Sequence, residues 1–200
     1  AMTDYGNTWV SNYSWGWAPF HYGRWTLNPY YGWCWIPGTE WGPAWVSWRS
    51  GGSNFGWAPL GPGITISASF GWNAPSAWWV FLPQTYLYNR NFHSYCRAPR
   101  YNTTYVQQTT IINNTYINNN RTYVTGPRSG ELRKAGIRNV PRYTLGNSNR
   151  PGAPTVDRNT INVYRPSVAT ANTRNARPQR IAAAQTNSNE RTAASGNRIS

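Results

Sequence analysis

An all-β fold is predicted by three features: aromatic residues that alternate along short runs, turn residues at hairpin spacing, and a motif that recurs about every 25 residues. All 13 tryptophans lie between Trp9 and Trp79. The expected architecture is therefore a Trp-rich β domain over residues 1–90, made of antiparallel hairpin repeats that form a small meander, barrel or sandwich. An extended Asn/Thr/Arg-rich arm should follow over 91–166, with short strands and a helix near 129–139. Residues 167–200 read as a low-complexity basic tail.

The repeat carries the first domain. Trp15-Gly16-Trp17-Ala18-Pro19 returns as Trp41-Gly42-Pro43-Ala44-Trp45, and Tyr31-Gly32-Trp33-Cys34-Trp35 returns as Phe55-Gly56-Trp57-Ala58-Pro59, with a weaker echo at Phe70-Gly71-Trp72. Alternation such as Trp33 and Trp35 puts rings on one face of a strand. Asn28-Pro29, Pro37-Gly38, Ser50-Gly51-Gly52-Ser53 and Gly61-Pro62-Gly63 supply turns between strands. Prolines and glycines interrupt every helical window here before a nucleus can propagate, so no helix is expected in this half. A glycine before an aromatic lets a ring lie over the backbone, or bends the strand at a bulge.

Beyond residue 90 the apolar content falls. Tyr105-Val106, Ile111-Ile112, Tyr116-Ile117 and Tyr123-Val124 are separated by Asn, Gln and Thr, which predicts one or two strands or a hairpin over 101–125. In the expected helix Ser129 is the cap, Glu131 sits in the first turn and Pro141 closes the segment. Residues 142–145 and 159–164 read as extended, with loop over 147–154. Such a segment buries too little apolar surface to offset its ordering entropy, so the arm should take its order from a partner, and residues beyond Pro166 should be disordered in isolation.

Charge divides the same way. Residues 1–86 balance Arg24 and Arg49 against Asp4 and Glu40, so the formal +14 belongs to 87–200, where all cations but Lys134 are arginine. Arginine's planar fork suits carboxylate or phosphate groups and aromatic faces. The expected partner is a protein subunit, of the same or a different chain, or an anionic envelope polymer. Arg97, Arg100, Ile111, Ile112, Tyr116, Ile117, Arg121 and Tyr123 are the candidate docking residues. Amide ladders in the Asn-rich stretch would also allow a homo-oligomer or fibre.

Cys34 and Cys96 permit one disulfide or remain two free thiols. The longest apolar run, 77–82, is far short of the roughly 18 residues of a membrane-spanning helix. The Ala1-Met2 start fits either signal-peptide cleavage after a small residue or a cloning scar; a composition with so much Trp, Tyr, Asn and Thr favours cleavage, and the chain reads as exported. Export, the single lysine and the even spread of charge argue against nucleic acid as partner.

Chemistry is thinly represented. His21, beside Tyr22 and Arg24, reads as a structural hydrogen-bonded histidine. His93 lies near Cys96, but no third group is identifiable to orient a nucleophile. Glu40 is expected to pair with Arg24 or Arg49, and Asp4 to be solvated. No catalytic residue, cofactor or metal is assigned, and the chain is read as a non-enzyme. Trp17, Trp25, Trp33, Trp35, Trp45, Trp48 and Trp57 are either core rings or rings that stack on a glycan.

The strings Trp15-Gly16-Trp17-Ala18-Pro19-Phe20-His21-Tyr22-Gly23-Arg24-Trp25, Tyr31-Gly32-Trp33-Cys34-Trp35-Ile36-Pro37-Gly38 and Trp41-Gly42-Pro43-Ala44-Trp45-Val46-Ser47-Trp48-Arg49 carry a resemblance. Over roughly residues 5–166 the chain resembles an uncharacterised family of exported bacterial Trp-rich proteins. The resemblance implies export and a β-rich fold, and assigns no activity. The functional expectation is a non-enzymatic structural or interaction protein of the bacterial cell envelope or surface, in the periplasm, on the outer membrane or outside the cell, docking through its basic arm. The alternative is a carbohydrate-binding module for peptidoglycan or exopolysaccharide.

Overall fold

The computed structural model describes residues 1–69 and 71–169. The disorder and low complexity expected over 170–200 lie outside the described residues. Among those residues the protein is built mainly of strands in four open sheets, and no sheet closes into a barrel.

The repeat folds as hairpins. β3 (Tyr22–Asn28) pairs antiparallel with β4 (Gly32–Trp41), and β5 (Val46–Gly51) with β6 (Asn54–Pro59). Asn28 begins the first turn, and its Oδ1 accepts the backbone N–H groups of Tyr30 and Tyr31 at 2.8 and 3.1 Å. Gly52 and Ser53, both at positive φ, make the two-residue turn of the second. Pro37-Gly38 is different: it lies inside β4, at an irregularity where the register jumps from Arg24↔Ile36 to Tyr22↔Trp41. A proline cannot donate to a ladder, so it sits where the pairing is broken and not at a hairpin tip.

Residues beyond 90 thread through the same cores as the tryptophans. β7 (Val80–Pro83) extends the β5–β6 sheet on one side and β8 (Thr110–Ile112) on the other. β1 (Met2–Thr3) lies between β2 (Gly6–Asn7) and β11 (Arg142–Ser148), and β13 (Thr160–Tyr164) continues that sheet to β12 (Thr155–Asp157). The β1–β11 and β11–β13 pairings are parallel, a feature that hairpin repeats do not foretell. Met2, Trp48, Phe55 and Leu82 pack with Ile112, Val124 and Leu132. Tyr22 and Trp41 pack with Leu145, Ile161 and Val163, and Trp79 and Phe81 take Tyr105 and Val106. Ala1–Ala169 is one compact unit, so the boundary drawn at residue 90 falls inside it.

Helices appear where strands or loops are expected. α1 (Ile66–Ser69) is a single turn, and α2 (Asn102–Gln107) replaces the strand anticipated around Tyr105-Val106. Adjacent residues of a strand point to opposite faces, whereas on a helix both can turn toward one core, and Tyr105 and Val106 both pack against the cluster of Ala58, Ala74, Trp79 and Phe81. Asn102 anchors the turn by donating Nδ2–H to the carbonyls of Ser76 and Trp79. α3 (Ser129–Lys134) forms near its expected place, but Arg128 is the capping position and Ser129 the first helical residue. Glu131 Oε2 accepts the Arg128 backbone N–H at 2.7 Å and the Asn114 amide at 2.7 Å, which ties the helix to the strands before it. Those strands, β9 (Thr115–Asn118) and β10 (Arg121–Val124), make a hairpin turned by Asn119 and Asn120 at positive φ. The ring of Trp48 lies against Gly126, where a Cβ would sit 2.7 Å from the indole, so glycine is required for this part of the chain to seat on the tryptophan core.

Candidate functional site

The β3–β4 hairpin has two chemically distinct faces. Paired residues of an antiparallel ladder share a face, so the register Trp25↔Trp35 and Leu27↔Trp33 gathers three indoles and a leucine on one side. Arg24↔Ile36 and Thr26↔Cys34 occupy the other. Each face leads to a candidate site.

The aromatic face continues into neighbouring loops as a ridge made of two runs of rings in contact. Tyr13 stacks on Trp15 at 4.8 Å between centroids, Trp15 meets Phe20 at 5.9 Å, and Phe20 stacks with Trp25 at 6.3 Å. From the far end of the hairpin Trp33 meets Trp78 edge-on at 5.4 Å, and Trp78 meets Trp72 at 5.8 Å. Trp15 is 53% exposed and Trp33 43%. Tyr30 and Tyr31 stand at the tip, 89% and 83% exposed. Two of the indoles are fixed by hydrogen bonds: Trp25 Nε1–H donates to Pro19 O at 2.8 Å and Trp35 Nε1–H to Tyr22 O at 2.7 Å.

The other face borders an open groove of about 710 Å³ between the β4 irregularity, the loop before α1 and the β9–β10 turn. Its wall exists because Gly23, at φ +78°, lets the 37–40 segment close against β3; a Cβ there would strike the Ile36 carbonyl oxygen. Arg24 lies flat on the buried Trp45 ring, 3.8 Å from its centroid. Burial lowers the Arg24 pKa, and the nearby Glu40 carboxylate opposes that shift. Glu40 itself makes its ion pair with Arg121 at 3.8 Å, not with Arg24 or Arg49 as expected from sequence.

The sequence-derived candidates therefore separate. Trp45 and Trp48 are core rings, Trp17, Trp25, Trp35 and Trp57 are half-buried, and Trp33 reaches solvent. Of the docking candidates, Ile112 and Tyr123 are buried in the chain's own cores and Ile111 is half-buried in β8. Arg97 is exposed and donates to Asn54 Oδ1, Arg100 lies 4.9 Å over the Tyr101 ring, and Tyr116 meets Tyr5 edge-on. Arg100, Tyr116, Ile117 and Arg121 remain exposed. Tyr13, Trp15, Tyr30 and Tyr31 escaped the sequence reading; for the last two the signal was a pair of aromatics directly inside a turn, where no core can receive them.

Residues 1–64 match the model of a family of unknown function (DUF6600). No curated protein and no solved structure matches the chain. The matched stretch contains all three motif strings and ends well short of residue 166, to which the resemblance was expected to extend. In the structure those strings build the two-faced hairpin, the Arg24–Trp45 stack and the groove wall, so the matched segment holds most of both candidate sites.

His21 is fully buried, its Nδ1–H donates to Gly42 O at 2.8 Å, and its ring stacks on Trp41. Its own carbonyl accepts from Gly42 N and Trp45 Nε1, so one residue clamps the turn before β5. Desolvation lowers its pKa from 6.5 to about 4, against the Gly42 hydrogen bond and with help from Arg165. Cys34 and Cys96 are both free and half-buried. Burial raises the Cys96 pKa, and its Sγ faces the Phe92 carbonyl at 3.6 Å. No helix among the described residues is long and apolar enough to cross a membrane.

The His21 shift gives an acid-sensitivity with a defined sign. Above pH 6.5 the imidazole is neutral in the folded and unfolded chain and contributes no slope. As pH falls from 6.5 toward 4 the unfolded chain takes up the proton first, so stability drops by about 1.4 kcal/mol per pH unit until the folded form also protonates. In denaturant unfolding His21 should account for about 2 kcal/mol of the stability lost between pH 7 and pH 5. His21→Asn, whose amide can still donate to Gly42 O, should be less stable at pH 7 but lose about 2 kcal/mol less than the wild type across this interval, the slope that remains belonging to the Ala1 amine, whose pKa burial lowers from 8.0 to about 6. An equal slope in the variant would assign the acid-sensitivity elsewhere.

Proposed function

We propose that this chain is a non-enzymatic, exported interaction protein of the bacterial cell envelope or surface, and that it holds an extended partner on the aromatic ridge of the β3–β4 hairpin. The carrying observation is the exposure of Tyr30 and Tyr31 at the hairpin tip, continuous in the chain with Trp33 and its contacts to Trp78 and Trp72. Rings left in water at a tip whose backbone is pinned by Asn28 are a preorganised apolar contact: little conformational entropy is lost when a partner covers them. The exposed Arg100, Tyr116, Ile117 and Arg121 offer further contacts from the basic part of the chain.

The test is retention of the purified protein on washed bacterial envelope fragments. Tyr30→Ser with Tyr31→Ser removes only exposed rings, so folding should be unchanged by near-ultraviolet circular dichroism. Retention should fall at least tenfold, since central aromatic contacts contribute about 2 kcal/mol or more in established interfaces. Wild-type retention by the folded double variant would eliminate the ridge as the contact surface.

A carbohydrate-binding reading has its own observation in favour. A ridge of successive rings suits the apolar faces of successive pyranoses, and the groove on the opposite face is lined by hydroxyl, amide and charged side chains. Peptidoglycan or exopolysaccharide would be the polymer. Quenching or shift of tryptophan emission on adding defined oligosaccharides supports this reading, and silence across them removes it while leaving the interaction protein in place.

A further inference from the structure

We infer that the groove between β4, the loop before α1 and the β9–β10 turn binds a carboxylate-bearing polysaccharide, with Arg24 and Arg121 reading the carboxylates. This deepens the carbohydrate reading and rests on it for the ligand being a sugar chain.

Arg24 is the centre of the argument. Its guanidinium makes one hydrogen bond among the described residues, from Nη1 to Gly23 O at 2.8 Å, while its flat face rests on Trp45. The stack fixes the fork's plane and leaves donors at its edge for a ligand in the groove that it lines. Because Arg24 covers the indole, Trp45 offers no free face to a sugar ring; the groove floor is a cation laid on an aromatic. A partly desolvated guanidinium with unspent donors is stabilised by an anion that accepts two of them at once.

Arg121 supplies the second positive group at the rim. Its partner Glu40 is 3.8 Å away, and both side chains are about half exposed. Such a pair is worth little in water, so a ligand carboxylate at closer range can take Glu40's place. With Glu40 retained, the groove carries two cations and one anion, which suits singly charged carboxylates better than a doubly charged phosphate. Thr39, Ser67, Thr115 and Thr122 line the groove with hydroxyls and Asn120 with an amide, groups that donate and accept as sugar hydroxyls require. Ile36, Pro37, Ile64 and Ile66 provide apolar wall for the carbon faces of the rings. The volume falls in the range of ligand clefts, roughly 300–1,000 Å³.

The experiment is calorimetric titration of the full chain with hexagalacturonate, its methyl ester and hexaglutamate. Hexagalacturonate should bind at least tenfold more tightly than the ester, and more tightly than the peptide. Arg24→Gln should lose at least tenfold, Arg24→Lys should recover little because the fork is gone, and Glu40→Gln should gain a few-fold. Esterification alters only the ligand, so it decides the matter even if Arg24 variants disturb the Trp45 stack. Equal binding of acid and ester, or of the acidic sugar and the acidic peptide, overturns the inference while the broader reading survives. Absence of binding to acidic and neutral sugars alike overturns both.

Discussion

A fragment ending at residue 98 is expected to be unfolded, although it keeps all 13 tryptophans. The cut removes Ile112, Tyr123, Val124, Leu132, Leu145, Ile161 and Val163, each at most 9% exposed. At about 1.5–3 kcal/mol for burying each such side chain, roughly 10–20 kcal/mol of favourable transfer is lost. Whole domains retain only about 5–15 kcal/mol of net stability. The cut also strips β8 from β5 and β11 from β1, leaving the β5 edge unpaired and β1 with only the two-residue β2. The fragment should show tryptophan emission near that of exposed indole, collapsed near-ultraviolet dichroism and no cooperative transition in urea, whereas 1–169 should unfold cooperatively. A two-state transition in the short fragment would re-establish the tryptophan half as a domain of its own.

This is where composition misleads and pattern does not. Averaged over 101–165, the sequence is too polar to support a core, yet the residues that matter are single apolar side chains at strand positions. Ile112 and Leu145 each complete a core whose other walls are rings from the first ninety residues. Hairpin turns and the alternation of Trp33 with Trp35 are local properties, and they are legible because their causes lie within a few residues. The parallel pairing of β1 with β11 joins residues about 140 positions apart and leaves no local trace. The groove was not readable in this way: Pro37-Gly38 reads as a turn between strands and instead breaks the ladder inside β4, and nothing local announces that Arg24 would lie on Trp45. The Glu40 partner was missed because Arg121 reaches it from a hairpin 80 residues away.

Arg49 shows how a charged motif residue can be purely architectural, and its removal should be among the costliest single changes in the chain. It is buried in β5 with no carboxylate beside it among the described hydrogen bonds and ion pairs. Its Nε–H donates to Thr109 Oγ1 at 2.9 Å, and Nη2 donates to Val106 O at 2.9 Å and Thr109 O at 2.6 Å. The guanidinium lies 5.3 Å from the Trp79 ring centroid, and burial lowers its pKa. These bonds close the end of α2 onto the tryptophan sheet, directly before β8 enters it. Arg49→Ala should cost about 3–5 kcal/mol, because three charge-assisted bonds disappear and buried carbonyls lose their donor. Arg49→Lys should recover less than half, since one ammonium cannot span the three acceptors in the fork's geometry. Amide exchange at Gln108 and Thr109 should accelerate before that of β5 itself. Arg49→Met fills similar volume without donors, so a methionine variant as stable as the wild type would reduce the clasp to packing. Envelope retention per folded molecule should be unchanged in all three variants, because Arg49 faces neither the ridge nor the groove.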